Sequence, residues 1–498
     1  MSDKRFRKYL YTAMILFFIL WSAGFIILHN NFHTIYEIGF VEQSLWNTIQ
    51  GDFFDSVSNV GNHFANHNSP ILFFLLPFYY LVPNIIVISL ILNAAIVIGA
   101  IPVYKLARKK LDSPKAGFIF ALSYLLFPSF YYSNIRSFHP VMLVLPFMGF
   151  ALYYMHRKNW LKTSIFLFFS MLTNETVSLI VIMIGAYLFF KMKEHRSVGL
   201  KIAVVGIVWF YLSVNIIIPA FSPNNNYNQI GAVYGHLGDN IPEVVSSIVS
   251  DPVEAFNYGN PEGKIDYLQV LFQHNLFLSL LNPEIIIVAV PTFLQNLLSS
   301  SGYKYDYVAH YTYPLIPILF FASITGVRRI VSSKLNILKK YSSSSRLNIL
   351  LLIILVSSVF SVAAYGFYPT LKENCYLFNK LYEKGKCPET GDIIGNSPKE
   401  NWPTIEKFVN NIPENASVML QHHTFSHLSA RKETYLMRDF YQCSYADYFI
   451  LDIGGNMMPV ENIKEYLDTV QTKLSYKLIE HERKVYLFKK EDDNYLCI

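Results

Sequence analysis

Charge is what this chain has least of. Asp, Glu, Lys and Arg make up only 15% of its 498 residues, against about a quarter in soluble domains, and that scarcity excludes a soluble enzyme. Cysteine is also rare. The four present, Cys375, Cys387, Cys443 and Cys497, all follow Tyr368 and have no metal-site spacing. There is no internal repeat and no long low-complexity tract. No basic stripe interleaved with aromatics stands apart from the apolar segments, so no nucleic-acid partner is expected.

What the chain does have is apolar length. Hydrophobic residues reach 52% and aromatics 16%, with 40 Phe and 35 Tyr, as expected where many segment ends sit at membrane interfaces. Stretches able to cross a hydrocarbon core of roughly 30 Å number about eleven. They lie near 10–29, 84–107, 115–131, 140–156, 161–173, 175–191, 200–220, 265–281, 283–300, 312–328 and 347–367. The first follows Lys4, Arg5, Arg7 and Lys8 with no small-residue cleavage site after it, and reads as a retained helix.

The net charge of +6 resides mainly in short basic runs between these stretches. Those around Arg108, Arg157, Arg196 and Arg328 assign four connections to the cytoplasm. The opposite connections carry almost no cations: none from His33 to Pro70, and then Arg136, Lys264 and Lys304. The expected topology is polytopic in the cell membrane, with the N-terminus cytoplasmic and the C-terminus outside. Residues 1–368 form the transmembrane domain, including an outer loop at 31–70. Residues 369–498 turn mixed and charged, with strand-like runs at Ser417–Leu420, Tyr448–Leu451 and Lys484–Phe488 and a helical pattern at Trp402–Asn410. The fold class is therefore mainly α, with a small extracytoplasmic α/β domain at the C-terminus. All four cysteines fall there, where disulfides or free thiols are both open.

Polar residues able to do chemistry gather on the expected outer side. Glu37 and Glu42 lie five apart just past the first helix, with no Lys or Arg beside them; they are either a base poised over a lipid-linked substrate or two solvated acids. Gln43 follows. His63 and His67 have the i, i+4 spacing of a metal pair, which leaves a divalent metal possible, but hydrogen bonding to phosphate or sugar suits a lone pair better. Arg136 and His139 sit in one connection. Asn174-Glu175 interrupts a long apolar region, where Glu175 reads either as functional or as part of a helix cap. Asn296, Lys304 and His310 mark a further connection on the same side, and Lys304 with Arg136 would suit a phosphate.

In order and spacing, these blocks resemble a family of archaeal and bacterial polytopic membrane proteins, domain of unknown function 2079. The blocks are Glu37–Gln43 with Leu45-Trp46-Asn47-Thr48, His63 with His67–Pro70, Phe138-His139-Pro140, Asn174-Glu175, Asn296–Ser300, His310-Tyr311, His427-Leu428-Ser429 and Ala446-Asp447-Tyr448. That family is similar in layout to the C-type membrane glycosyltransferases (GT-C). The resemblance implies a sugar arriving on a polyprenyl phosphate and an acid of the first outer loop acting on the acceptor. It puts Glu37 in the base position and Glu42, Gln43, His63, His67, His139 and Glu175 around the donor. The two acidic positions are more often Asp in the family, which leaves open which acid is the base.

The expectation is thus a cell-envelope glycosyltransferase that uses a lipid-linked donor and a surface glycan, lipid or protein acceptor among membrane lipids. The rival is a transporter or glycolipid-translocating protein. That class calls for ionisable groups near mid-membrane and broken helices in paired halves, whereas the acids here gather at one surface.

Overall fold

The structure is a computed structural model and describes residues 3–56, 61–223, 229–333, 342–366, 397–437, 446–453 and 463–491. The four cysteines and the expected boundary at 368/369 lie outside the described residues.

The molecule is mainly helical. Among the described residues, four helices are long and apolar enough to cross a membrane: Asp3–Asn30 (α1), Ile85–Lys110, Lys193–Phe221 with its short joints, and Ser343–Gly366. Other expected stretches form shorter helices, such as Trp160–Met171 and Val177–Lys191. Two are broken, and the breaks have local causes. Near 283–300, Pro283 and Pro291 each begin a new short helix, because proline cannot donate to the preceding turn. Near 265–281, the helix Pro261–Gln273 gives way at Leu276 and Phe277, both at positive φ. The count of eleven crossings therefore rests on the sequence pattern alone.

The expected outer loop at 31–70 is not open chain. It contains a helix of four turns, Tyr36–Gln50 (α2). Ile38, Val41 and Leu45 are buried on one stripe, the spacing that makes a helix amphipathic. Backbone N–H of Ile35 donates to the carbonyl of Arg136 at 2.8 Å and fixes where the helix starts. Gly51 ends it at φ +107°, with its N–H returned to Asn47 and Thr48, a left-handed cap that favours glycine.

Among the described residues, the C-terminal region contains a five-stranded sheet of order β2-β1-β3-β5-β4. Its strands are β1 (Val418–Leu420), β2 (Thr434–Leu436), β3 (Tyr448–Asp452), β4 (Tyr476–Glu482) and β5 (Val485–Lys490). β1 pairs in parallel with β2 and β3; β5 runs antiparallel to β3 and β4. Alternation decides the packing. Val418, Leu420, Ile450 and Leu487 face the helix Trp402–Asn411 through Ile405 and Phe408. Met419, Phe449, Leu451 and Phe488 face Tyr466 and Val470 of the helix Ile463–Thr472.

The sheet does not stand apart from the bundle. Phe32, just past α1, joins the core of the first sheet face. The segment Gln421–Lys432 lies along α2: Thr34 Oγ1 meets Ser426 Oγ at 2.6 Å, and Lys432 reaches Asp52 at 3.6 Å. The closest approach is at Gly39, where a Cβ would stand 2.6 Å from Cδ1 of the buried Phe425 and 3.3 Å from Cα of Ser426. Glycine is required there by proximity.

Gly39→Ala is expected to lower the melting temperature of the purified protein by overpacking this contact, at a cost of about 1–3 kcal/mol. The double variant with Phe425→Leu should recover part of the loss, a coupling that thermal unfolding in detergent measures.

Candidate functional site

The helical turn of α2 separates the two acids that the sequence set side by side. Five residues on an α-helix are about 140° apart around the axis, so Glu37 and Glu42 face different neighbours.

Glu37 faces the connection 133–140. One carboxylate oxygen, Oε2, accepts from Ser137 Oγ at 2.9 Å and meets His139 Nε2 at 2.8 Å. His139 is held for this contact by the proline after it: its backbone is extended at φ −128°, ψ 136°, as residues before proline prefer. Burial alone would raise the Glu37 pKa, but the His139 charge and the hydrogen bonds from His139 and Ser137 outweigh it, and the net shift is downward. The side chain keeps 17% of its exposure, so this ionised carboxylate can still be reached.

Glu42 is enclosed instead. Tyr79 donates to Oε1 at 3.2 Å, and Ser429 of the C-terminal region donates to Oε2 at 2.5 Å. No cation is paired with it among the described residues. Burial therefore dominates and, only partly opposed by these hydrogen bonds, pushes the carboxyl up to about 7. Gln43, next along α2, donates to the carbonyls of Arg431 and Lys432 at 3.4 and 3.2 Å. Both side chains hold the C-terminal region against α2.

A second carboxylate–imidazole pair stands across from the first. Glu175 is buried, with Oε1 3.0 Å from His67 Nδ1 and Oε2 accepting the backbone N–H of Asn68 at 3.1 Å. Its neighbour Asn174 accepts from Thr176 N and Oγ1 at 2.9 and 2.7 Å, an Asx turn ahead of the helix Val177–Lys191, whose N-cap residue Thr176 makes no side-chain cap. Glu175 reaches away from the helix that follows it, toward His67 and Asn68.

Between the pairs lies a cavity of about 60 Å³, room for several water molecules. His67, His139, Asn174, Glu175, Asn296, Lys304 and His310 all line it. The His310 ring stacks on His139 with centroids 3.4 Å apart. Lys304 Nζ lies 3.3 Å from Tyr234 OH and 5.1 Å from the Tyr311 ring centre. Burial pushes its pKa down to about 8, against an upward pull from Glu175. Asn296 donates to Tyr267 OH at 2.8 Å and to the Tyr311 carbonyl at 3.2 Å, which orders the wall behind Lys304.

Other expected site residues lie outside the lining. Arg136 is buried with its guanidinium 5.0 Å from the Tyr132 ring centre. His63 is half-buried, its pKa pushed down to about 3 by desolvation and by the charges of His67 and His139. His63 begins a single helical turn, and the chain is already extended at His67 (φ −142°), so the pair does not share a helix face. No group of three His, Cys, Asp or Glu poised for a metal occurs among the described residues.

The lining also takes in Gln295 and Tyr311, sequence neighbours of the expected Asn296 and His310 that were given no site role, and sequence reasoning missed His422 in the C-terminal region. The His422 ring packs edge-on against Tyr36 at 4.4 Å and its charge acts on Glu37. The signal was present as three histidines between 422 and 427, in a chain with 14 in all.

A sequence model of the family described as "Predicted membrane protein (DUF2079)" matches residues 28–496. Among solved structures, the crystal structure of ArnT from Cupriavidus metallidurans in the apo state is similar in fold. It has a TM-score of 0.51 at 10% identity, over 96% of this chain and 98% of that one. No curated protein matches.

The pH behaviour of Glu42 follows from its environment. A folded-state pKa near 7 against an ordinary 4.5 means that the folded state binds the proton more tightly. Its stabilising contribution is complete below about pH 4.5 and is lost as pH rises through about 7. The loss should be of the order of 3 kcal/mol. Wild-type melting temperature is expected to fall over this range relative to Glu42→Gln, and the variant should be the more stable protein at pH 8.

Proposed function

We propose that this chain, which belongs to the DUF2079 family of predicted membrane proteins, is a membrane glycosyltransferase that moves a sugar from a polyprenyl-phosphate donor to an acceptor hydroxyl outside the cytoplasm. The observation that carries the reading is the pairing of a reachable, ionised carboxylate at Glu37 with a cavity lined by a single, half-buried lysine. The chain-long likeness in fold to ArnT supports it, as does the resemblance in layout to the C-type glycosyltransferases.

Each group has a role in this reading. Glu37 accepts the proton of the acceptor hydroxyl, and its position is held by Ser137 and His139. The hydroxyl oxygen displaces phosphate from the anomeric carbon with inversion. Lys304 offsets the charge that develops on the departing phosphate, and its partial burial strengthens that attraction. Glu175 and His67, with Asn174, close the opposite wall around the sugar hydroxyls. Glu42 and Gln43 serve the architecture, through contacts to the C-terminal region. The donor cavity and the C-terminal region lie outside the cytoplasm, the N-terminus inside, as the basic connections prescribe.

The test is turnover in detergent or lipid with a panel of polyprenyl-phosphate sugars, followed as release of polyprenyl phosphate. Glu37→Gln should lower kcat by about 10²–10⁴-fold while leaving the melting temperature near that of the parent. Lys304→Gln should also depress kcat. A Glu37→Gln protein that turns over like the parent would refute the assignment.

The same assay separates two contributions of the opposite wall. Glu175→Gln keeps an acceptor for the Asn68 N–H but removes the charge facing His67, and is expected to raise the donor KM more than it lowers kcat.

A further inference from the structure

Two side chains that line the cavity hold polar atoms with nothing to bond. Ser69 is 1% and His310 5% exposed, yet Ser69 Oγ and His310 Nδ1 are enclosed without a hydrogen-bond partner among the described residues. Buried polar groups are nearly always bonded, and an unpaired one weighs against the fold. Two orphans on the lining of one small cavity therefore mark where a ligand supplies the partner. They come from separate stretches of chain. Ser69 follows Asn68, whose backbone N–H is held by Glu175; His310 is fixed between two rings, 3.4 Å from the centre of His139 and 4.0 Å from that of Tyr311. Burial, and then the charges of His139, His67 and Lys304, hold the His310 pKa well below the usual histidine range, so the ring is neutral. A hydroxyl and a neutral imidazole can each give and accept a hydrogen bond, which is what an alcohol group requires.

We infer that the sugar carried by the donor is uncharged, and that Ser69 and His310 are the side chains that recognise its hydroxyl groups. This rests on the cavity being the donor site of the proposed transfer. The charges of the lining argue against the alternatives. Glu175 is the only carboxylate among the lining residues, and both its oxygens are already bonded, Oε1 to His67 Nδ1 and Oε2 to the Asn68 N–H. An ammonium group on the sugar would find no acid left to meet it. Lys304 is the only lysine or arginine of the lining, and in this reading it is committed to the phosphate. A carboxylate on the sugar would have no second cation and would share the cavity with Glu175. Desolvating a charge without a partner is costly, and like charges at short range repel. A neutral, hydroxyl-bearing sugar meets neither penalty and satisfies both orphans.

Binding to the full chain in nanodiscs, measured without acceptor, tests this apart from turnover. The probes are polyprenyl phosphate bearing glucose, glucosamine or glucuronic acid, one ring skeleton in three charge states, with the bare polyprenyl phosphate as control. The glucose lipid should bind at least about tenfold more tightly than either charged one. Ser69→Ala and His310→Phe, the second of which keeps a flat ring against His139, should each weaken the glucose lipid by about three- to tenfold and leave the bare lipid bound as by wild type. Without ligand, both variants should melt at the wild-type temperature or above it, because each removes an enclosed atom that has no partner; a polar atom serving only the fold would give the opposite sign. Tighter binding of a charged sugar, no binding of the glucose lipid, an unchanged affinity for it in either variant, or an equal loss for the bare lipid overturns the inference. A wild-type protein that binds in the expected order but releases no polyprenyl phosphate to any acceptor would refute the transferase reading and leave the sugar recognition standing.

Discussion

A carboxylate cannot be left bare inside an apolar bundle. Removing one from water costs several kcal/mol even after relaxation, and this structure buries or nearly buries three at one end of its helices. Glu37 and Glu175 are each met by an imidazole and by a neutral donor. Glu42 receives two hydroxyls and holds its proton more tightly than a free glutamate. Much else follows from these three solutions. Proline after His139, the turn that takes the chain from His63 to His67, and the docking of Ser429 all exist where a carboxylate needs a donor.

The solutions also differ in what they allow. Imidazole can give and take a proton near neutrality, so Glu37 and Glu175 sit in surroundings where protons can move. The hydroxyl pair around Glu42 offers no such exchange, and suits a joint between parts of the chain. Lys304 belongs to the first group, since it faces the same cavity as both imidazoles.

Much of this site was legible from residue type in context. His139, Asn174-Glu175, Lys304 and His310 stand out because each is polar where the surrounding pattern is apolar, and the structure brings them around one cavity. Rotation about α2 was not legible. Glu37 and Glu42 look like a pair until the buried stripe of Ile38, Val41 and Leu45 is recognised as helical, and the loop reading of 31–70 hid that stripe. Gln43 could not be placed, because its partners are backbone carbonyls 388 and 389 residues away. Arg136 carried the charge expected of a phosphate contact, yet its side chain lies against Tyr132, a packing choice with no trace in spacing. The strand runs near 418, 448 and 485 were readable from alternation; the order of the sheet, which places β3 between β1 and β5, depends on crossovers that periodicity does not record.

The seam between α2 and the Gln421–Lys432 segment sets a schedule for biosynthesis. Ribosomes add about 5–20 residues per second, so the 387 positions between Glu42 and Ser429 take roughly 20–80 s to emerge at that pace. Throughout that interval the helix bearing both acids is already made, but the partner that covers its far face does not exist. A nascent chain thus presents an uncovered, glutamate-bearing helix to chaperones and membrane proteases until its last stretch is synthesised. Translation that stops early leaves exposed the very surface the finished protein conceals.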